Sequence, residues 1–543
     1  MNAPNKLKYT VALDCPAGGT TYEEVLDIDY RELPSGGSAA IVRVDPVLEK
    51  GHIASATALL RIKETDDARI FMNGYQTWTY CPEYTVKSRI KGLHGVPKPI
   101  VNAFSLDRYG DYHFVDYPNK RGVLHGFSYC YFREGDRFLL IGSLDETNGY
   151  TLFQYEFNKD LLTIRRDCEG LACEGRFEVF GLFIAEGGED EVFDAWFEAM
   201  GVSPITREPI SGYSSWYNRY ENISEETITQ DLIGCAKVMR GGELFQIDDG
   251  WEPAVGDWME SDPVKFPNGM KAAADAIHAK GYKAGLWLAP FVAKKDSALV
   301  REHPDWLFLH NGEPWCCGSN WGGFYSLDID NPEVVDYVER VFARVFGEWG
   351  FDLVKLDFLY GAAPFGTERE TRAGRMIRAM KLLRRVCGEH PILGCGVPVM
   401  PAFGLVEYCR VSCDVSLDWD DKPWMRMLHR ERVSTKQAMG NTVFRRQLNG
   451  RAYLSDPDVF FLREKNIRLS ETKKMKLARL NAIMGGVFLT SDNIGDYDGA
   501  ALNSYRKLMA LRGAKVKKVD VKGKTVSVTY ESGDQEGNIT FKQ

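Results

Sequence analysis

Along the first 185 residues apolar and polar positions switch in short runs. AAIVRV, FLLIGSL, YTLFQYEF and RFEVFGLFIA alternate or form brief apolar blocks, and Gly, Asp and Asn turns divide them. Successive side chains of a strand point to opposite faces, so these runs predict antiparallel strands stacked as a β-sandwich. The pattern then changes. EGGEDEVFDAWFEAMGV reads as a helix and SPITREP as a Pro-containing connector, which sets a boundary near residue 205 and an N-terminal unit of residues 1–205.

Beyond the connector, short apolar strands recur with helical stretches between most of them: GYSSWY, ELFQIDD, YKAGLWLAP, DLVKLDF, PILGCG, YCRVSCD, RAYLSDP and GVFLTSD. Strands alternating with helices pair in parallel, and eight such units close into a (β/α)₈ barrel over residues 206–502. One helix shows the logic. Asn331 caps it, Pro332 occupies its first turn, and Val334, Val335, Val338, Val341, Phe342 and Val345 form one apolar stripe before Gly350 ends it. The third and fourth strands are separated by a long excursion, and the fifth and sixth by too little chain for a full helix. From residue 503 to 543 a final helix and the runs VKKVDV, KTVSVTYES and NITFKQ predict a small antiparallel sheet. The fold class is therefore multidomain: sandwich, barrel, small C-terminal β domain.

Composition narrows the function more than the fold. A formal charge of −9, with no basic stripe, argues against a nucleic-acid ligand. No run reaches the ~18 apolar residues of a membrane span. The 12 cysteines form no secreted framework and the first residues lack an apolar signal core, which together suggest a cytoplasmic protein with reduced thiols. A neutral small molecule is the favoured partner, and nothing in the composition excludes a homo-oligomer.

In a barrel of this kind the active site lies at the C-terminal strand ends, so the polar residues closing each strand carry the candidate chemistry. They are Asp248 and Asp249, Lys355 and Asp357, Cys395, Arg410 and Asp414, Asp456 and Asp458, and Asp492. None of the 9 histidines lies there, which leaves carboxylates and neither a His-based metal site nor a Ser-His-Asp triad. Lys355 and Asp357, two apart on one strand, point the same way, and the ammonium favours an ionised carboxylate suited to nucleophilic attack. A glycosidase needs a second, protonated carboxyl group. Asp414 is the candidate, with Asp418, Asp420 and Asp421 as rivals that composition alone does not separate.

The segments VKLDFLY, RVSCDV, FQIDDGWEPAVGDW, GLWLAPF, GCGVPVMPAFGLVE and YLSDPD, in this order of strands, resemble the α-galactosidases of glycoside hydrolase family 36. The resemblance runs from SSWYNRY at 214 through the eighth strand, and NGYQTWTY resembles the sandwich segment that reaches into the family's pocket. It implies a retaining hydrolase of α-galactosides with Asp357 as nucleophile and Asp414 as acid/base, needing no metal or cofactor. It further implies that Asp248 and Asp249 take the O4 and O6 hydroxyls, and that Lys355, Cys395 and Arg410 surround the hydroxyls near C2 and C3. Trp216, Tyr217, Trp287 and Trp78 then form the aromatic wall. Trp306, Trp321 and Trp349 match no such position and read as packing residues. Cys413 departs from the proline more often found before the acid, and DWDDKPWMRM is more acidic than the family pattern, so the aglycone side stays open. An α-N-acetylgalactosaminidase, a raffinose-type α-galactosyl transferase and an inactive sugar-binding protein are the alternatives.

Overall fold

A computed structural model of the chain describes residues 3–16, 18–420 and 423–543. Two antiparallel sheets make the N-terminal sandwich. One runs Gly18–Asp27, Lys6–Cys15, Val47–Arg61, Leu161–Asp167, Tyr150–Glu156, Val123–Phe127, and the other is centred on Ser38–Val44, Phe180–Gly188, Arg137–Ser143 and Tyr129–Glu134. Alternation in the first strand is obeyed residue by residue: Leu7, Tyr9, Val11 and Leu13 are buried and the residues between them are not. At roughly 25 cal/mol per Å² of apolar surface removed from water, such strands are held mainly by this one face. The helix Glu189–Met200 lies on the second sheet, where the Trp196 indole donates to the Ser143 carbonyl at 2.9 Å.

Eight parallel strands follow: β1 Ile210–Ser214, β2 Leu244–Ile247, β3 Lys283–Leu288, β4 Leu353–Leu356, β5 Ile392–Gly394, β6 Tyr408–Arg410, β7 Leu454–Asp456 and β8 Val487–Thr490. Seven lie within the apolar runs read from the sequence, and β1 overlaps GYSSWY but begins two residues before it. Strand β1 pairs with both β2 and β8. Between β7 and β8 the ring is completed by the Gly486 N–H, which donates to the Ser455 carbonyl at 2.9 Å. A side chain there would not fit, because a Cβ on Gly486 would lie 2.5 Å from that of Leu454.

The two irregularities of spacing have structural counterparts. After β3 the excursion forms a small sheet of Val292–Lys294, Cys316–Gly318 and Phe324–Ser326 before the helix Pro332–Phe342. That helix starts as its sequence dictates, with the Asn331 side chain accepting from the Glu333 N–H at 2.9 Å, and its last turn widens into a π-helical turn, Ala343–Glu348. Between β5 and β6 there is only the 3₁₀ turn Met400–Ala402. At the C-terminus the helix Gly499–Leu511 runs unbroken through residue 503, and a three-stranded antiparallel sheet of Lys515–Lys522, Thr525–Ser532 and Gln535–Lys542 ends the chain. Among the described residues no helix is long and apolar enough to cross a membrane.

Candidate active site

The C-terminal ends of the strands open into a cavity of about 590 Å³. Its floor is ionic. Lys355 on β4 is buried, and its ammonium lies 2.9 Å from Asp248 and 4.0 Å from Asp357. Burial works against that charge, but the two carboxylates outweigh it and raise the lysine pKa. The nearer partner is thus Asp248, the residue after β2, where the sequence spacing had paired Lys355 with Asp357. Adjacent positions β2 and β4 flank β3, and the ammonium reaches across.

Asp357 follows β4 and is fixed from two sides. Trp287, on neighbouring β3, donates its indole N–H at 3.1 Å, and the Phe358 N–H donates at 2.9 Å. Phe358 sits at φ 52°, the left-handed region, which turns the chain sharply after the carboxylate. Asp248 accepts from Gln246 Nε2 at 2.7 Å and from the Asp249 N–H at 3.0 Å. Strand β2 has ended at Ile247, so Asp248 and Asp249 escape the strand's alternation and both line the cavity. Asp249 lies against Glu252, a neighbour the sequence reading passed over. Burial first, then the charge of Glu252, push the Asp249 carboxyl well above the usual carboxylate range.

Asp414 stands across the floor. The guanidinium of Arg410 forks among three carboxylates, 2.7 Å from Asp414, 3.1 Å from Asp456 and 3.0 Å from Asp458. Burial raises the Asp414 pKa to about 6, against the pull of Arg410 and with the help of Asp458, while Asp357 is close enough to add to the rise. Asp458 also holds the loop in place, accepting from the Val415 N–H at 2.8 Å. The rivals separate here. Asp420 is tied to Arg432 and Ser434, Asp418 faces Arg468, and neither lines the cavity; Asp421 lies outside the described residues.

Aromatic rings complete the walls. Trp216, Trp287 and Trp78 all line the cavity. Trp78 arrives from the sandwich on the segment NGYQTWTY, which is pinned to the barrel by backbone hydrogen bonds between Thr77 and Val397 (3.0 Å) and between Val399 and Tyr75 (3.1 Å). Its indole meets Phe358 edge-on and donates to the Cys395 thiol at 3.4 Å. Gly396 makes room for it: a Cβ there would lie 2.7 Å from the ring.

At four positions the cavity lining differs from the expectation. Trp321, read as packing, lines the cavity and donates its indole N–H to Asp249 at 3.0 Å. It rides on the excursion after β3 at φ 53°, in the polar, glycine-flanked stretch Ser319–Gly323, a setting unlike a core tryptophan and the one sequence signal for it. Conversely, Tyr217, Cys395 and Arg410 stand behind the wall. Tyr217 is buried with its hydroxyl on Asp458 at 2.6 Å, Arg410 is consumed by its three carboxylates, and the Cys395 thiol is buried beneath Trp78. They position what touches the cavity. Trp306 and Trp349 do pack, against Tyr337 and Trp251.

Among the described residues no group of three or more His, Cys, Asp or Glu side chains could hold a metal ion. A barrel rim that carries one anchored carboxylate and a second of raised pKa in one cavity, walled by tryptophans, resembles the sites of glycoside hydrolases that work with two carboxyl groups. Comparison with known proteins narrows it. The Melibiase family model matches residues 207–382. The α-galactosidase of Escherichia coli is 31% identical over 172 residues, which is 30% of this chain and 23% of that protein. The chain thus aligns with about a quarter of the length of such curated relatives. The structure of TtGalA, an α-galactosidase from Thermus thermophilus in complex with p-nitrophenyl α-D-galactopyranoside, superposes with a TM-score of 0.73 at 28% identity, over 94% of this chain and 98% of that one. The family 36 α-galactosidase AgaA of Geobacillus stearothermophilus shares the fold, with a TM-score of 0.60 at 14% identity over 98% of this chain and 80% of that one. The chain is thus similar to α-galactosidases in its barrel segment, and its fold is that of the family 36 enzyme.

Proposed function

We propose that this protein is a retaining exo-α-galactosidase. The observation that carries the reading is the opposition of Asp357 and Asp414 across one cavity floor. Asp357 is held by the Trp287 and Phe358 N–H groups, while burial raises the Asp414 carboxyl to about 6. Asp357 attacks the anomeric carbon as Asp414 gives its proton to the departing glycosidic oxygen. Asp414, now a carboxylate, takes a proton from the water that releases the sugar, so configuration is retained. A retaining site sets the two groups ~5 Å apart, with no water between them at the first step.

Asp248, Asp249 and Lys355 supply charged partners for the sugar's ring hydroxyls, and Trp321 extends that set by holding Asp249 from the other side. Support for galactose comes from TtGalA, which binds an aryl α-galactoside on the same fold. An N-acetylgalactosaminide would need room for its acetamido group beside Cys395, whose thiol is buried under Trp78. Rates on p-nitrophenyl α-galactoside, α-N-acetylgalactosaminide and α-glucoside test the assignment, with NMR to read the first-formed anomer. The expected result is α-galactose from the first substrate alone. Release of the β anomer, or preference for either other sugar, overturns it, and product analysis at high acceptor concentration separates hydrolysis from transfer.

A further inference from the structure

The cavity is larger than one hexose needs, and its two halves differ in chemistry. Away from the carboxylates its lining is supplied by two segments, of which the sequence reading touched only the stretch DWDDKPWMRM. One is the sandwich stretch around the short helix Lys98–Ala103, which contributes Ile100, Phe104 and Leu106; the other is the loop after β6, which contributes Met427, Leu428 and Val433. They are fastened to each other, the Tyr112 hydroxyl donating to the Leu428 carbonyl at 2.6 Å and the Asp111 N–H to Glu431 at 3.1 Å. The helix buries none of its own residues, and Phe104, Met427 and Val433 are 54%, 40% and 38% exposed. Large apolar side chains gathered at a cavity mouth mark a binding surface more than a scatter of exposed residues does.

We propose that this outer half is a subsite for an apolar aglycone, so that the preferred substrates are α-galactosides of alkyl or aryl alcohols and not of another sugar. The inference rests on the galactosidase reading above. Its geometry follows from the acid. The leaving oxygen must sit at the Asp414 carboxyl, and the Asp414 carbonyl accepts from the Ser434 N–H at 3.1 Å, next to Val433. An aglycone leaving past Asp414 therefore runs onto the apolar loop. Of the charged groups on that side, Glu431 is engaged by Thr79 and the Asp111 N–H, and Arg432 by Asp420 at 2.6 Å through one arm, its buried Nη1 having no hydrogen-bond partner. Among the described lining residues, Glu221, Ser319 and Asn320 add solvent-exposed polar side chains. Against the apolar side chains a sugar gives up water without regaining its hydrogen bonds, whereas an alkyl or aryl group gains from the same contact.

A chain-length series decides it, because n-alkyl α-galactosides from ethyl to hexyl differ in apolar length and hardly at all in leaving-group acidity. Used below their micellar concentrations, they should show kcat/KM rising by roughly two- to fourfold per added methylene, and hexyl α-galactoside should outrun raffinose. Phe104→Ser and Met427→Ser should flatten the series while methyl α-galactoside is cleaved at the unaltered rate. A flat series, or a faster reaction with raffinose, overturns the subsite and leaves the galactosidase intact. So does a Phe104→Ser variant that changes particle mass by light scattering but keeps the wild-type slope, since the patch would then be a subunit contact. No cleavage of any α-galactoside, p-nitrophenyl included, overturns the reading beneath it.

Discussion

Asp357 illustrates how little of a carboxylate's role lies in the residue itself. Two N–H donors orient it, and replacing it by Ala removes the proposed nucleophile without removing core packing. Turnover of an aryl α-galactoside should fall on the order of 10⁴-fold with an unchanged melting temperature, and azide should partly restore cleavage as the β-galactosyl azide. Asp414 makes the opposite demand, since its proton is needed first. The raised group holds that proton below about 6 and loses it as pH rises through that value. On a substrate with a sugar or alkyl leaving group, kcat/KM should therefore decline on the alkaline side with a midpoint near 6. Asp414→Ala should lose most activity on such substrates, little on one whose aglycone departs unprotonated, and should lack that limb in its pH profile. Trp321→Ala should raise the inhibition constant of galactose, because Asp249 loses its indole donor. These carboxylates were legible in the sequence because β-strands of a barrel end where their polar residues begin. Trp321 was not, since a loop has no period from which to read a direction.

At the scale of elements, the segment NGYQTWTY is the informative case. It is neither strand nor helix, and between Tyr75 and Tyr80 its backbone bonds to Val397, Val399 and Arg430 of the barrel, so no local pattern could place it; the resemblance alone drew attention to Trp78. Truncating a buried tryptophan typically costs ~3–5 kcal/mol. Trp78 is only partly buried and its ring faces the cavity, so Trp78→Ala should weaken galactose inhibition while moving the melting temperature little. A large thermal loss with unchanged inhibition would make it a core residue. Gly396→Ala tests the same contact from the other side. The position has φ +54°, and the new methyl would meet the indole, so the variant should lose ~1 kcal/mol to backbone strain and also bind galactose more weakly. The apolar rim escaped the sequence reading for a related reason. Residues 96–106 and 425–433 come together only in the fold.

For the whole molecule the decisive contact is Arg445, fully buried on the barrel side. Its guanidinium donates to Asn73 Oδ1 at 3.0 Å, to the Gln76 carbonyl at 3.0 Å and to Val411 at 3.0 Å, tying the sandwich segment to the end of β6. Arg445→Ala strands those acceptors without water and should cost about 3 kcal/mol in denaturant unfolding, while raising the galactose inhibition constant through Trp78. Lysine should not restore it, having no fork. The order of layers was legible from periodicity, but how they meet was not, because buried polar contacts between distant segments leave no repeating mark. Strand β1 pairs with β8, and this has a consequence for the making of the protein. A nascent chain emerging from the ribosome can pack its sandwich early, yet the ring waits for its last strand. Until then the tryptophan finger has nothing to point into, and a translation product cut short before Val487 is left with an open sheet edge, material for chaperones and proteases.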